Sequence, residues 1–395
     1  MKRILYFMFL TMLIASCGPK VTQHPVETSE GLFTPTSDES QVAPQSAIAP
    51  QETPLPAVVE APIIEAPAIF YIEMLDETFG WAVTEENIIR TDDGGVTWYD
   101  VTPANLADAG YLIYPDFFDV NHAWVQFPDM NKYPNGGTLY RTANGGITWE
   151  SFSTPFSGGS LHFIDENNGW MMADLGVGAG SMAVSVFQTN DGGETWKRTY
   201  TNDPNLADAS DTLPLGGIKN LILPLDAETA WIGGVIYAPG ETYLFRSDDG
   251  GETWFNINLA LPENTAESEL SIQGMVFLSP TNGLLVLRIT SETPQTIVYI
   301  TEDGGNTWAQ SLVSFEGYGI LETPSASEMI FYTANQFYVT KDAGATLQQV
   351  TPDRVFGDSI TDMSFANSQI GWVVTNQQAL YRTEDGGATW STLIP

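Results

Sequence analysis

The chain has 395 residues, 49 of them acidic against 14 basic, for a formal charge of -35, with 12% aromatics and one cysteine. A surface that acidic repels phosphate backbones and anionic headgroups, which argues against nucleic-acid binding and electrostatic membrane docking. A lone thiol rules out an intramolecular disulfide, so the fold rests on its apolar core.

In chain order, Lys2 and Arg3 precede "ILYFMFLTMLIA", an apolar run too short to cross a bilayer and shaped like a secretory signal over 1–16. The "IASC" that follows resembles the lipobox of bacterial lipoproteins, which implies cleavage before Cys17 and lipidation of its thiol. An ordinary signal followed by a buried cysteine is the alternative. Residues 17–68 carry nine prolines and a single aromatic, Phe33, a composition unable to bury enough apolar surface to fold. This stretch reads as a disordered tether of about 40 Å by random-coil scaling.

The third segment, 69–395, is repetitive. "RTDDGGVTW" at 90 returns at 141, 188, 246, 300, 339 and 382, with Asp93, Asn144, Asp191, Asp249, Asp303, Asp342 and Asp385 in equivalent places, 39 to 58 residues apart. That period suits a four-stranded unit. Strand-like segments such as "GWAV", "TLYRT" and "ITDMSF" fill each repeat, and helical periodicity is nearly absent. The expected fold is all-β, a seven-bladed β-propeller of four-stranded antiparallel blades.

The nonapeptide resembles the Asp-box, or bacterial neuraminidase repeat; copy two has Asn144 for the Asp and copy six has Leu347 for the Trp. Physically it is a hairpin turn in which the carboxylate accepts backbone N–H groups and the Trp closes over the turn. A motif spent once in every blade cannot converge on one site, so these seven residues are expected to set turns rather than to catalyse or bind calcium.

Turn formers recur five residues before Trp81, Trp124, Trp170, Trp231, Leu284, Ile330 and Trp372, so the first turn of each blade has constant length. From there to the box the distance varies, and the excess falls in the second turns of blades two to five. One end of the ring is therefore expected to be uniform and the other, which also carries the inter-blade connections, variable. Variable loops on a rigid frame are where binding concentrates. Candidates on that face are Tyr111, Tyr133, Tyr237, Asp129, Asp208, Arg288 and Arg354, the tyrosines reading equally well as inter-blade packing.

Catalytic constellations are weak. Asp-box proteins include sialidases, which need three convergent arginines, but Arg90, Arg141, Arg246 and Arg382 occupy one repeated position and Arg198 an outer strand, leaving Arg288 and Arg354. Glycoside hydrolysis needs two carboxylates, and Asp116, Asp129, Asp203, Asp208 and Asp211 offer them without a distinguished pair. His24, His122 and His162 lack metal-ligand spacing, and no cofactor or metal is expected.

Paired motifs such as "FIDENNGW" with "QTNDGGETW" make 69–395 similar to the photosystem II stability and assembly factor family. That resemblance implies a seven-bladed propeller that binds a partner protein without catalysis. In that family arginines gather toward the partner, whereas here arginines are few. The combined expectation is a lipid-anchored, extracytoplasmic protein of a bacterial cell envelope, a recognition or assembly scaffold for a neutral or cationic protein or glycan, with a glycoside hydrolase of extracellular polysaccharide as the alternative.

Overall fold

A computed structural model describes residues 61–104, 106 and 113–394. The signal over 1–16, the lipidation at Cys17, the tether up to residue 60 and Tyr111 lie outside the described residues. Seven four-stranded antiparallel blades follow one another at 69–100, 114–154, 159–201, 218–256, 269–316, 320–350 and 360–394, and no helix occurs among the described residues.

Sequence dictates the strands locally. Second strands such as Gly80–Thr84 (GWAVT) and Gly371–Thr375 (GWVVT) are buried along their whole length, because each is sandwiched between two neighbouring blades. First strands alternate, as in Ile69–Met74, with one face on the core. In five of the seven neighbouring pairs the first strands touch one another, which places them around the ring axis. Blades 4 and 5 are also joined where Val235, at the end of the second strand of blade 4, pairs with Ser271 in the first strand of blade 5.

The described core consists of seven apolar clusters, one between each pair of adjacent blades. The cluster of Ile72, Trp98, Trp372 and Leu380 spans blades 7 and 1, and it closes the ring. Polar contacts seal the same seam: Trp372 Nε1 donates to Gly94 O (2.8 Å), Ile72 N to Asp362 Oδ2 (2.8 Å) and Met74 N to Ser364 Oγ (2.9 Å). Outside blade 1, Ile63 bridges Tyr99, so part of the segment before the first blade adds to that sheet's outer edge. Each blade contributes its own four strands, and the ring closes by packing.

The two ends differ in what they bond. At one end each box turn receives the first turn of its own blade: Gly94 N donates to Thr78 O, Gly145 N to Asn121 O, Gly250 N to Glu228 O and Gly386 N to Gln369 O. At the other, second turns bond to the inter-blade connections, as in Ser157 N to Pro134 O, Gly217 N to Gly180 O and Gly240 N to Ser268 O. The expected long second turns need one correction. In blades 2 and 4 the extra residues form loops, 129–136 and 236–242, but in blade 3 they lengthen the strands Gly169–Gly178 and Ser181–Thr189, and in blade 5 the strands Gly283–Thr290 and Gln295–Thr301. The glycine-rich "DLGVGAGS" reads as loop from composition, yet only two residues turn. Ala179 (φ 51°) and Gly180 (φ 79°) supply the two left-handed positions that a tight hairpin takes; before them Gly178 pairs with Ser181, and Gly176 (φ 132°) pairs with Ala183 just after a register shift at Asp174.

Candidate functional site

The box residues build turns with one recurring bond set. In the fourth box Ser247 Oγ donates to Asp249 Oδ1 (2.8 Å) and accepts Gly251 N (2.9 Å), while Asp249 accepts Thr253 N (2.9 Å) and Thr253 Oγ1 (2.5 Å). Asp191, Asp303, Asp342 and Asp385 repeat it, Asp93 accepts Thr97 N (2.8 Å) and the Thr91 hydroxyl (3.0 Å), and Asn144 uses its amide, donating Nδ2 to Thr148 Oγ1 (2.8 Å). The Ser or Thr two residues earlier, absent from the expected roles, is the hinge of this network because it is both donor and acceptor. These bonds hold Asp303 down to about 2 and keep Asp191, Asp249, Asp342 and Asp385 below the usual range.

Three of the four box arginines are inter-blade staples, while Arg382 pairs with Glu384 (3.0 Å) and stacks on Trp372 within its own blade. Arg90 donates to Gly145 O, Arg141 to Asp191 O and Arg246 to Gly304 O, each in the box of the following blade. Arg288 stacks on Tyr318 (4.5 Å) and Arg354 on Tyr381 (4.3 Å), the latter also donating to Trp390 O (3.1 Å). The two are held on different blade seams and are not brought together.

At the variable end, Asp129 pairs with Lys132 (2.9 Å) inside its own loop, and Asp208 pairs with Arg198 (2.7 Å) of an outer strand. Tyr133 and Tyr237 are 49% and 61% exposed, so neither ring is buried between blades. Met130, Val177 and Leu215 are exposed beside them in sequence segments of the same end, in blades 2 and 3 and the connection to blade 4. Tyr237 lies against the blade 3 hairpin, its Cδ2 3.1 Å from where a Cβ on Gly180 would stand. A shallow cavity of about 250 Å³ opens between that hairpin and the connection through Asp203, Asn205 and Leu215.

Around the axis the first strands of blades 6, 7, 1 and 2 carry Glu322, Asp362, Glu73 and Asp116, all half-buried. Asp116 Oδ2 accepts Phe163 N (2.6 Å) and Asp362 Oδ2 accepts Ile72 N (2.8 Å), so side chains of one blade satisfy the exposed strand edge of the next. Glu73 accepts Tyr71 OH (2.8 Å). Burial pushes Asp116 up to about 8, and burial with repulsion from Asp362 and Glu73 pushes Glu322 up to about 8. Asp362 rises to about 7 by burial, opposed by its two backbone bonds. In the sequence Asp116 is one acid among several; the sharing of an axis by four carboxylates follows only from ring closure. Among the described residues no group of three His, Cys, Asp or Glu is placed to hold a metal.

The model of the DUF6242 beta propeller domain matches residues 132–350, more than half of the chain. The chain belongs to the DUF6242 beta propeller domain family. It is also a propeller resembling the photosystem II assembly factor family, and it superposes on the structure titled YCF48 bound to D1 peptide with a TM-score of 0.50 at 16% identity, covering 84% of this chain and 98% of that one. The GH74 xyloglucanase from Xanthomonas campestris gives a TM-score of 0.56 at 13% identity, covering 82% of this chain and 54% of that one. In sequence, a xyloglucanase of a Paenibacillus species is 22% identical over 285 residues, 63% of this chain and 25% of that protein. The chain thus spans about a quarter of the length of the xyloglucanases it matches in sequence. At these identities the structural likeness establishes the propeller fold.

Proposed function

We propose that this propeller is a non-catalytic recognition scaffold, anchored outside the cytoplasm through a lipid on Cys17, that holds a protein or glycan partner on its variable end. The observation that carries the reading is the exposure of Met130, Tyr133, Val177, Leu215 and Tyr237 in consecutive segments of that end. Exposed aromatic and apolar side chains on rigidly held turns offer contact area at small entropic cost. Acidic residues around them, such as Asp174, Asp203 and Glu241, favour a neutral or cationic partner. Relatives named for a bound peptide and for glycan hydrolysis agree with a macromolecular partner.

A second reading, hydrolysis of an extracellular polysaccharide, draws on Asp116. A carboxyl raised to about 8 is protonated at neutral pH, as a general acid must be. Against it, Asp116 already accepts a backbone N–H from blade 3 in the axial cluster. One experiment separates the two readings. Purified full chain is incubated with bacterial and plant polysaccharides, and both retention on the polymer and new reducing ends are measured. Retention or protein crosslinking without new ends supports the scaffold, whereas new ends that vanish in Asp116→Asn support the hydrolase.

A further inference from the structure

Building on the scaffold reading, we infer that the cavity between the blade 3 hairpin and the connection to blade 4 is a subsite for one neutral sugar ring of a glycan. One wall is the hairpin, whose Gly176 and Gly178 present bare backbone: a Cβ built on either meets nothing within 4 Å. Missing side chains therefore create the space. The opposite wall is the connection carrying Asp203, Asn205 and the exposed Leu215.

The walls are fixed before any ligand arrives. Lys219 Nζ donates to Met182 O (2.9 Å), Leu215 O (2.9 Å) and Gly217 O (3.1 Å), tying the connection to the hairpin. Met182 N to Leu215 O (3.1 Å) and Gly217 N to Gly180 O (2.8 Å) add backbone bonds across the same seam. A preformed site avoids the ordering cost that weakens binding by mobile loops.

The chemistry of the lining selects the ligand. Asp203 Oδ1 is taken by Asn205 N (3.0 Å) and Nδ2 (2.8 Å), while among the described residues its Oδ2 has no partner. Ser181 adds a hydroxyl, which both donates and accepts. A pyranose offers the complement, hydroxyls around its edge and C–H groups on its faces, the latter suited to Leu215, Ala183 and the glycine floor. About 250 Å³ holds one such ring. Tyr237, packed on the hairpin tip, continues the apolar surface toward a neighbouring sugar. The Asp203 carboxylate repels uronate or sulfate groups, so a neutral sugar is selected. A peptide anchor would instead want a deep apolar slot, which this open floor does not provide.

The test uses an array of immobilised neutral and acidic oligosaccharides probed with the full chain and three variants. Gly178→Leu fills the cavity, and since Gly178 has an ordinary φ with open space beside it, the fold and the melting temperature should be unchanged. Wild type is expected to bind neutral oligosaccharides, with at least tenfold weaker binding by Gly178→Leu and by Asp203→Ala. Binding that Gly178→Leu leaves intact, a preference for acidic sugars, or no binding to any member of the array overturns the subsite. Tyr133→Ala, outside the cavity, separates the two levels of the argument: partner capture on intact cells that falls with Tyr133→Ala but not with Gly178→Leu removes the subsite and leaves the scaffold standing.

Discussion

Single residues do two opposite things with protons in this molecule. Asp191, Asp249, Asp303, Asp342 and Asp385 are held below the usual carboxylate range by turn donors, whereas Asp116, Glu322 and Asp362 are raised to about 8, 8 and 7 around the axis. Carboxyls raised in the folded state bind more protons there than in the unfolded chain between about pH 4 and 8, so their contribution is full at the acidic end and is lost as pH rises through that window. The depressed box aspartates lose theirs only as pH falls below about 4. The melting temperature should therefore be higher at pH 5 than at pH 8, and a fall on acidification from 8 to 5 would contradict the axial cluster. A second prediction concerns the box hydroxyl. Thr301 Oγ1 accepts Gly305 N (2.8 Å) and donates to Asp303 (2.9 Å), so Thr301→Val leaves a buried N–H without a partner. A loss of about 1–3 kcal/mol in urea denaturation is expected. That hydroxyl stands in every copy of the repeat, yet sequence singles out the Asp and Trp, because a Thr in a strand already has a sufficient reason to be there.

Among the elements, the blade 3 hairpin shows where pattern reading stops. Gly176, Gly178 and Gly180 make "LGVGAG" look like a loop, but paired neighbours, Val177 with Met182 and Gly178 with Ser181, keep it a strand. Period, turn spacing and the constant first turn are legible because they repeat seven times and rest on local chemistry. Side-chain choices that depend on a neighbouring blade are not legible, since the partners of Asp362 or Trp372 lie 278 to 290 residues away in the chain. Likewise Arg288 and Arg354 look available in sequence and are committed to Tyr318 and Tyr381 in the fold. The hairpin also permits a direct check: Ala179 has a left-handed φ of 51°, which Asn tolerates better. Ala179→Asn should stabilise the protein by up to about 1 kcal/mol by thermal or chemical denaturation, provided the two-residue turn is present.

At the scale of the whole molecule, closure is the property on which the rest depends. Each blade buries one face against the next, so removing blade 7 exposes both Trp98 of the seam with blade 1 and Phe337 of the seam with blade 6. Deleting residues 351–395 should abolish the single cooperative melt of the intact chain, read by calorimetry. Closure also sorts the corners of every blade into a box end, uniform and bonded to itself, and a variable end, where exposed tyrosines and the cavity gather. Binding at the variable end is the central claim, and site-directed photo-crosslinking on intact cells tests it most directly. A photoreactive amino acid placed at Tyr133 or Tyr237 should capture a partner, while one at Val96, 66% exposed in a box turn, should not. Crosslinks from Val96 with none from Tyr133 or Tyr237 would contradict the account.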